Sequence, residues 1–291
     1  MDFIQQLLNG LQLGSIYALV ALGYTMVYGI AKLINFAHGD IIMVGAYISL
    51  LCFTKFNLSI ITTFLVTILC CSVIGVVIER VAYKPLRNAS RLTALITTIG
   101  TSLFLQNLFL IMFGSSPKSF PNKFPKEALE IGGMRVSFLT LATIVITLAI
   151  MIGLSLFVGK TKLGKAMRAV SEDAGAASLM GINIDTTISV TFAIGCALAA
   201  VASILYSSTY PLINPYMGGT LGLKAFIAAV LGGIGIIPGA MLGGFIMGIA
   251  ETLAKGYIST TFADAIVFLI LILVLLFKPA GLLGKNIKEK V

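Results

Sequence analysis

Six stretches of this chain run for more than twenty residues without a single Asp, Glu, Lys or Arg: Phe3 to Ala31, Phe56 to Ile78, Leu92 to Pro117, Val136 to Gly159, Thr186 to Leu223 and Ala225 to Ala250. A helix needs roughly 20 apolar residues to cross a bilayer, so most of these windows are long enough to span. Backbone polar groups must be satisfied within the segment in hydrocarbon, and no window carries the short alternating pattern of a membrane β-barrel. The predicted fold is therefore all-α, a polytopic membrane helical bundle forming a single transmembrane domain over residues 1–291. Composition agrees: 58% of the residues are hydrophobic, 11% are charged, and the mean hydropathy is +1.04.

The net charge of +9 does not point to nucleic acid, because the 20 Lys and Arg sit in short loops and in the C-terminal tail. Arg80, Lys84, Arg87 and Arg91 follow one apolar window, Lys160, Lys162, Lys165 and Arg168 another, and Lys278, Lys285, Lys288 and Lys290 close the chain. The positive-inside rule makes all three clusters cytoplasmic. The segment Gly114 to Arg135 is mixed in charge, holds Pro117, Pro121 and Pro125, and lies one crossing from two of these clusters, so it is expected outside. Counting back puts the N-terminus outside as well, with the first helix retained because Asp2 stands where a signal peptide needs basic residues. A cytoplasmic tail then requires an odd number of crossings. The predicted spans are Leu11 to Gly29, Ile41 to Thr54, Leu58 to Ile78, Leu92 to Phe113, Val136 to Val158, Thr186 to Ser208, a glycine-broken pair across Leu221 to Leu253, and Ala265 to Phe277. That makes eight or nine, depending on how the pair is counted.

Two regions interrupt the helical pattern at membrane depth. One is Ile34 to Gly45, and the other is the glycine-rich Leu231 to Gly244 with Pro238, a composition that weakens a continuous helix. Broken helices in corresponding positions of two halves point to a transport path at the repeat interface, which nominates Asn35, His38, Asp40 and Gly45 with Gly232, Gly233 and Gly235. A second reading makes Asp40 the cap of a helix beginning at Ile41 and His38 a support for the turn. Glu251 and Lys255, four apart, are expected to form a structural ion pair, Asp264 to cap the last helix, and Gln106 and Asn107 to bond between helices.

Between two of the windows lies a polar island, Lys160 to Asp185. Ser171 can cap a helix of about ten residues with Glu172 and Asp173 in its first turn and Gly181 at its C-terminal stop. Such a helix is too short to span, and its Val170, Ala174, Ala177 and Gly181 face offers small groups to a partner. Its other reading is a loop helix docked on its own bundle.

The string Ala176-Ala177-Ser178-Leu179-Met180-Gly181 resembles the core of the coupling-helix signature of permeases in ATP-binding-cassette importers, although Gly175 stands where that signature has Glu and Glu172 lies three residues earlier. Val20 to Tyr24, Ile34 to Gly39, Gly45 to Tyr47, Leu231 to Gly235 and Pro238 to Ala240 resemble the shorter permease of the high-affinity branched-chain amino-acid importers, in order along nearly the whole chain. The resemblance implies a bacterial inner-membrane protein paired with a homologous second permease, two cytoplasmic ATP-binding subunits and a periplasmic binding protein, carrying leucine, isoleucine and valine. It also implies that residues 160–185 form a cytoplasmic coupling loop in which Arg168, Glu172, Ala174, Ala176, Ala177 and Gly181 meet the ATPase. A permease for urea, short amides or another small solute is the neighbouring alternative, and a stand-alone channel the more distant one. Enzyme chemistry is not expected, since the chain has no phosphate-cradling loop, no H-E-x-x-H and one histidine, and the sequence calls for no metal or cofactor. Cys52, Cys70, Cys71 and Cys196 read as small packing residues.

Overall fold

The computed structural model describes residues 2–87, 89–125, 128–131 and 134–284, within which eleven α-helices are formed. Lys126, Glu127, Lys285, Lys288 and Lys290 fall outside the described residues. The helices are α1 (Asp2–Ala31), α2 (His38–Thr54), α3 (Ile60–Ile78), α4 (Arg91–Phe113), α5 (Phe138–Lys160), α6 (Lys162–Glu172), α7 (Ala174–Leu179), α8 (Ile184–Thr209), α9 (Met217–Gly232), α10 (Ile237–Tyr257) and α11 (Ala263–Phe277). Six of them, α1, α3, α4, α5, α8 and α10, are long and apolar enough to cross a membrane, and α2, α9 and α11 are shorter apolar helices. Each predicted apolar segment is thus helical. The boundaries follow local chemistry: Ser59, Ser90 and Asn183 accept the Thr62, Thr93 and Thr186 amides at the starts of α3, α4 and α8. Thr54, Thr97, Thr143 and Thr191 return their hydroxyls to carbonyls four residues back, which satisfies them without water.

The centre of the bundle is α1, surrounded by α10, α8, α9 and α5. The apolar stretch of α1 is 89% buried, against 22%, 11% and 17% for α3, α4 and α5, whose large apolar side chains are therefore exposed on the outside of the bundle. A hydrophobic protein surface of this kind is stable in lipid, where apolar exposure carries no cost.

Close approach at the centre depends on small residues. On α1, Gly10, Gly14 and Ala18 repeat every four residues, and on α10 so do Ala240, Gly244 and Gly248. A Cβ placed on Gly14 would fall 2.8 Å from Phe245 Cα, and one on Gly10 would fall 2.8 Å from Ile249 Cα. The two helices run antiparallel with their backbones in contact. A second such crossing joins α2 to α9, where a Cβ on Gly39 would lie 2.8 Å from Gly222 Cα.

Short strands sit outside the helices. β1 (Lys118–Ser119) pairs antiparallel with β4 (Leu212–Ile213), so the loop after α4 is joined to the end of α8, and β2 (Ala128–Ile131) pairs with β3 (Met134–Ser137). The turn after α3 is bound at the opposite end. Lys84 and Arg87 each reach Asp185 at 2.5 Å, and Arg87 also pairs with the fully buried Glu79, which accepts from Ser189 Oγ at 2.6 Å. These contacts hold the first basic cluster against the start of α8, beside the island. The segment after α11 returns to the same end, with the Leu282 and Leu283 amides donating to the last carbonyls of α9, Leu231 and Gly232. Two basic clusters and the described start of the third therefore share one end of the bundle, and the β1–β4 pair marks the other.

Candidate functional site

The island differs from its expected form. It holds two helices rather than one, because Thr161 caps α6 by accepting from the Gly164 amide at 3.0 Å and Asp173 caps α7 by accepting from the Ala176 amide at 3.0 Å. Ser171 is not a cap, since it lies inside α6 with its hydroxyl donating to the Arg168 carbonyl at 2.7 Å. Glu172 is the last residue of α6 and not part of a first turn. Gly181 does end the island helix: its φ of +82° is the left-handed stop, and Ile182 donates to the Ala177 carbonyl beside it.

The small-residue face divides between inside and outside. Val170 and Ala177 are buried against the protein itself with Met167 and Gly164, whereas Ala174, Ala176 and Gly181 are exposed. The largest exposed apolar groups on the island are Leu179 at 90% and Met180 at 83%, neighbouring side chains at the end of α7. Sequence pattern did not single them out, because which side of a six-residue helix faces inward is settled by how α6 packs. Arg168 donates to the Gly159 carbonyl at 3.1 Å and lines a crevice with Met167 from the island, Gly29 from α1 and Gly235 from the turn after α9. The island therefore packs on α1 and faces the glycine turn across this crevice.

The interruptions are narrower than the sequence suggested. The first covers Lys32 to Ala37, with Lys32 at φ 54°, so His38, Asp40 and Gly45 are helical residues of α2. Asp40 is not a cap, since Ala37 occupies that position without a side-chain bond. The segment leads back into the bundle, so that the ring of His38, the first residue of α2, packs on Gly23, eight residues before α1 ends at Ala31. The second interruption covers Gly233 to Ile236, with Gly233 and Gly235 at φ 106° and 94°, and it joins α9 to α10 as a tight antiparallel hairpin. Positive φ at both positions is accessible to glycine without strain.

These two groups of residues occupy different levels. Asn35, His38 and Asp40 form a buried polar cluster inside the bundle. Asn35 Oδ1 accepts from Tyr83 Oη at 2.7 Å, and Asp40 Oδ1 accepts from Gln106 Nε2 at 2.9 Å, the interhelical bond expected of Gln106. Asn107 instead donates to Leu103 in its own helix. His38 lies edge-on to Tyr24 with ring centres 4.7 Å apart, and neither of its nitrogens has a partner among the described residues. Gly45 packs on Ser203 and Cys71. Gly232, Gly233 and Gly235 lie instead at the island end, Gly235 against Gly29.

The Glu251–Lys255 pair is present at 2.6 Å and belongs to something larger. Glu251, buried within the bundle, also pairs with Lys224 of α9 at 2.8 Å and accepts from Tyr17 Oη of α1 at 2.6 Å. Asp264 pairs with Lys224 at 2.6 Å from the first turn of α11 and is not that helix's cap, a position held by Phe262. Lys224 interrupts two apolar windows in the sequence, a signal that could have nominated it, but its partner is 27 residues away.

Residues 6–275 match the family model described as the branched-chain amino acid transport system permease component. The chain belongs to this family. The permease is 47% identical to the high-affinity branched-chain amino acid transport system permease protein LivH of Escherichia coli, across 99% of this chain and 98% of that protein. It is 45% identical, with the same coverage, to the corresponding protein BraD of Pseudomonas aeruginosa. A probable branched-chain amino acid transport permease of Methanocaldococcus jannaschii is 31% identical over 94% of this chain and 90% of its own length. No solved structure matches the permease.

Proposed function

We propose that the permease carries leucine, isoleucine and valine across the bacterial inner membrane as one translocation subunit of an ATP-binding-cassette importer. The full-length similarity to permeases bearing that description is the observation that carries the reading. All crossings are helical, nine in number, with the N-terminus outside and the C-terminus in the cytoplasm. The sharing of one end of the bundle by basic residues from all three clusters supports this orientation. It makes residues 160–185 a cytoplasmic coupling loop. There Ala174, Ala176, Leu179 and Met180 present the surface an ATP-binding subunit meets, while Ala177 and Gly181 hold the loop's shape and Arg168 and Glu172 flank it. Movement of the loop reaches the bundle through the packing of α6 on α1, beside the crevice that α6 shares with Gly29 and Gly235.

The substrate path passes the level of Asn35, His38 and Asp40, and Gly45 lets α2 approach α8 there. Polar groups at that depth are costly unless they serve protein or substrate. Gly232, Gly233 and Gly235 act as the hinge between α9 and α10. A homologous second permease, two ATP-binding subunits that hydrolyse ATP and a periplasmic binding protein complete the assembly, with lipid against α3, α4 and α5. The test is ATP-driven leucine uptake into vesicles holding the whole assembly and its binding protein. Uptake unchanged by deleting this chain would refute the reading.

A further inference from the structure

At the end of the bundle away from the island, the buried Glu251 adjoins a two-part cavity. One chamber, of about 270 Å³, is walled by Gln12, Tyr210, Thr252 and Lys255, and a smaller one, of about 90 Å³, by Tyr17, Tyr206, Leu221, Lys224 and Glu251. Leu13, Tyr210 and Lys255 border both. The position follows from helix lengths: α8 starts beside the island and ends at this cavity after 26 residues, or about 39 Å at ~1.5 Å per residue. That distance exceeds the ~30 Å hydrocarbon core, so the cavity opens at the far surface.

Its charges are arranged unequally. Lys224 and Lys255 converge on the same oxygen of Glu251, Oε1, while Oε2 accepts from Tyr17. Lys224 has Asp264 as a second partner, but Glu251 is the partner of Lys255 among the described residues, and an ammonium carries three donors. Lys255 is also the more open of the two, at 39% exposure against 14%. The Lys255–Glu251 contact is therefore a single bond at a cavity wall, between a buried anion and a half-open cation.

Removing Lys255 alone would leave Lys224 as the one cation shared by Glu251 and Asp264, so a ligand opens the pair at least cost when it supplies both charges. A lone cation or a lone anion leaves one side uncompensated. A zwitterion does not: its carboxylate takes Lys255, and its ammonium takes the place of Lys255 on Glu251 Oε1, which Lys224 continues to share. Tyr206 and Tyr210, with ring centres 4.9 Å apart, line the smaller chamber as aromatic neighbours for the ammonium, and Leu13 and Leu221 offer apolar surface to a side chain. The larger chamber, at about 270 Å³, is many times the ~10–15 Å³ that a single water needs, so it admits a ligand larger than solvent.

We propose that the cavity between Tyr17, Tyr210, Lys224, Glu251 and Lys255 is a binding site for the zwitterionic head of an apolar amino acid, entered by exchange of the Lys255–Glu251 ion pair. The proposal rests on the orientation and transport reading above, which make this the outer mouth where substrate arrives.

The test uses the complete assembly purified in detergent from native membranes, without binding protein or ATP, and measures equilibrium binding of labelled leucine. Saturable binding is expected, displaced by isoleucine and valine but not by tenfold more leucinamide or 4-methylpentanoate, each of which keeps one charge. Lys255→Gln should weaken binding at least tenfold and Lys255→Arg by less than threefold. If the Lys255→Gln assembly does not form, Tyr210→Ala, outside the ion pair, should show the same weakening. Absence of saturable binding, equal competition by the singly charged analogues, or unaltered binding in the assembled variants would overturn the site. ATP-driven uptake by the wild-type assembly with its binding protein is measured alongside. Uptake without such binding removes the site alone, whereas no leucine uptake removes the functional reading beneath it.

Discussion

Replacing Gly14 by alanine tests the central packing directly. The added methyl carbon would lie 2.8 Å from Phe245 Cα, 3.0 Å from the Gly244 carbonyl oxygen and 3.2 Å from that of Phe245. All three are backbone atoms, so no side-chain rotation relieves them. Carbon contacts settle near 3.5–4.0 Å, so α1 and α10 must part by about 1 Å, which forfeits a quarter to a half of each ~0.1–0.2 kcal/mol contact. Over on the order of 50 atom pairs across this seam the loss is about 2–3 kcal/mol, within the range measured for overpacked cores. Alanine returns up to about 1 kcal/mol in helix propensity, so the net expectation is about 1–2 kcal/mol of destabilisation. Gly153 on α5 is the control, because nothing lies within 4 Å of a Cβ built there. Gly153→Ala should be neutral or up to about 1 kcal/mol more stable. Reversible unfolding in mixed micelles, followed by circular dichroism, gives both values. A Gly14→Ala protein as stable as Gly153→Ala would refute the backbone-to-backbone seam.

Other side chains give sharper or cheaper readouts. Serine at both Leu179 and Met180 should lower uptake and substrate-stimulated ATP hydrolysis by roughly tenfold or more, as expected for paired anchors, with the unfolding midpoint unchanged; normal transport would show that the island tip docks nothing. Ala177→Trp is expected to reduce the yield of monodisperse protein, because Ala177 is buried and overpacking costs about 1–3 kcal/mol; a well-folded but uncoupled variant would instead place this side chain at a partner surface. Gln106→Leu should destabilise by about 1–3 kcal/mol in the same unfolding assay by leaving buried Asp40 without its donor, and Asn107→Leu by less; equal effects would mean the Gln106–Asp40 bond contributes little.

Much of the fold was legible residue by residue. Uncharged runs, Ser and Asn at helix starts, and basic clusters between them are local signals, and each predicted apolar segment is a helix. Gly233, Gly235 and Gly181 were also readable, since positive φ is a property of one residue and its neighbours. Errors arose at helix starts. Asp173 rather than Ser171 caps a helix, and Asp40 and Asp264 lie inside first turns whose cap positions, Ala37 and Phe262, make no side-chain bond, so these boundaries were set by tertiary geometry that composition does not encode.

What the sequence determined by itself is that this chain must live in a bilayer as helices, because no water is present there to satisfy an unpaired backbone over twenty apolar residues. Its order of motifs also determined the family. Tertiary structure alone decided which small residues face a partner and which face the chain itself, and it turned the Glu251–Lys255 pair into part of a four-helix network with Tyr17, Lys224 and Asp264. Those partners are separated from Glu251 by as many as 234 residues. A helix repeats its faces every 3.6 residues regardless of what lies beside it, so a face is recognisable from sequence and its neighbour is not.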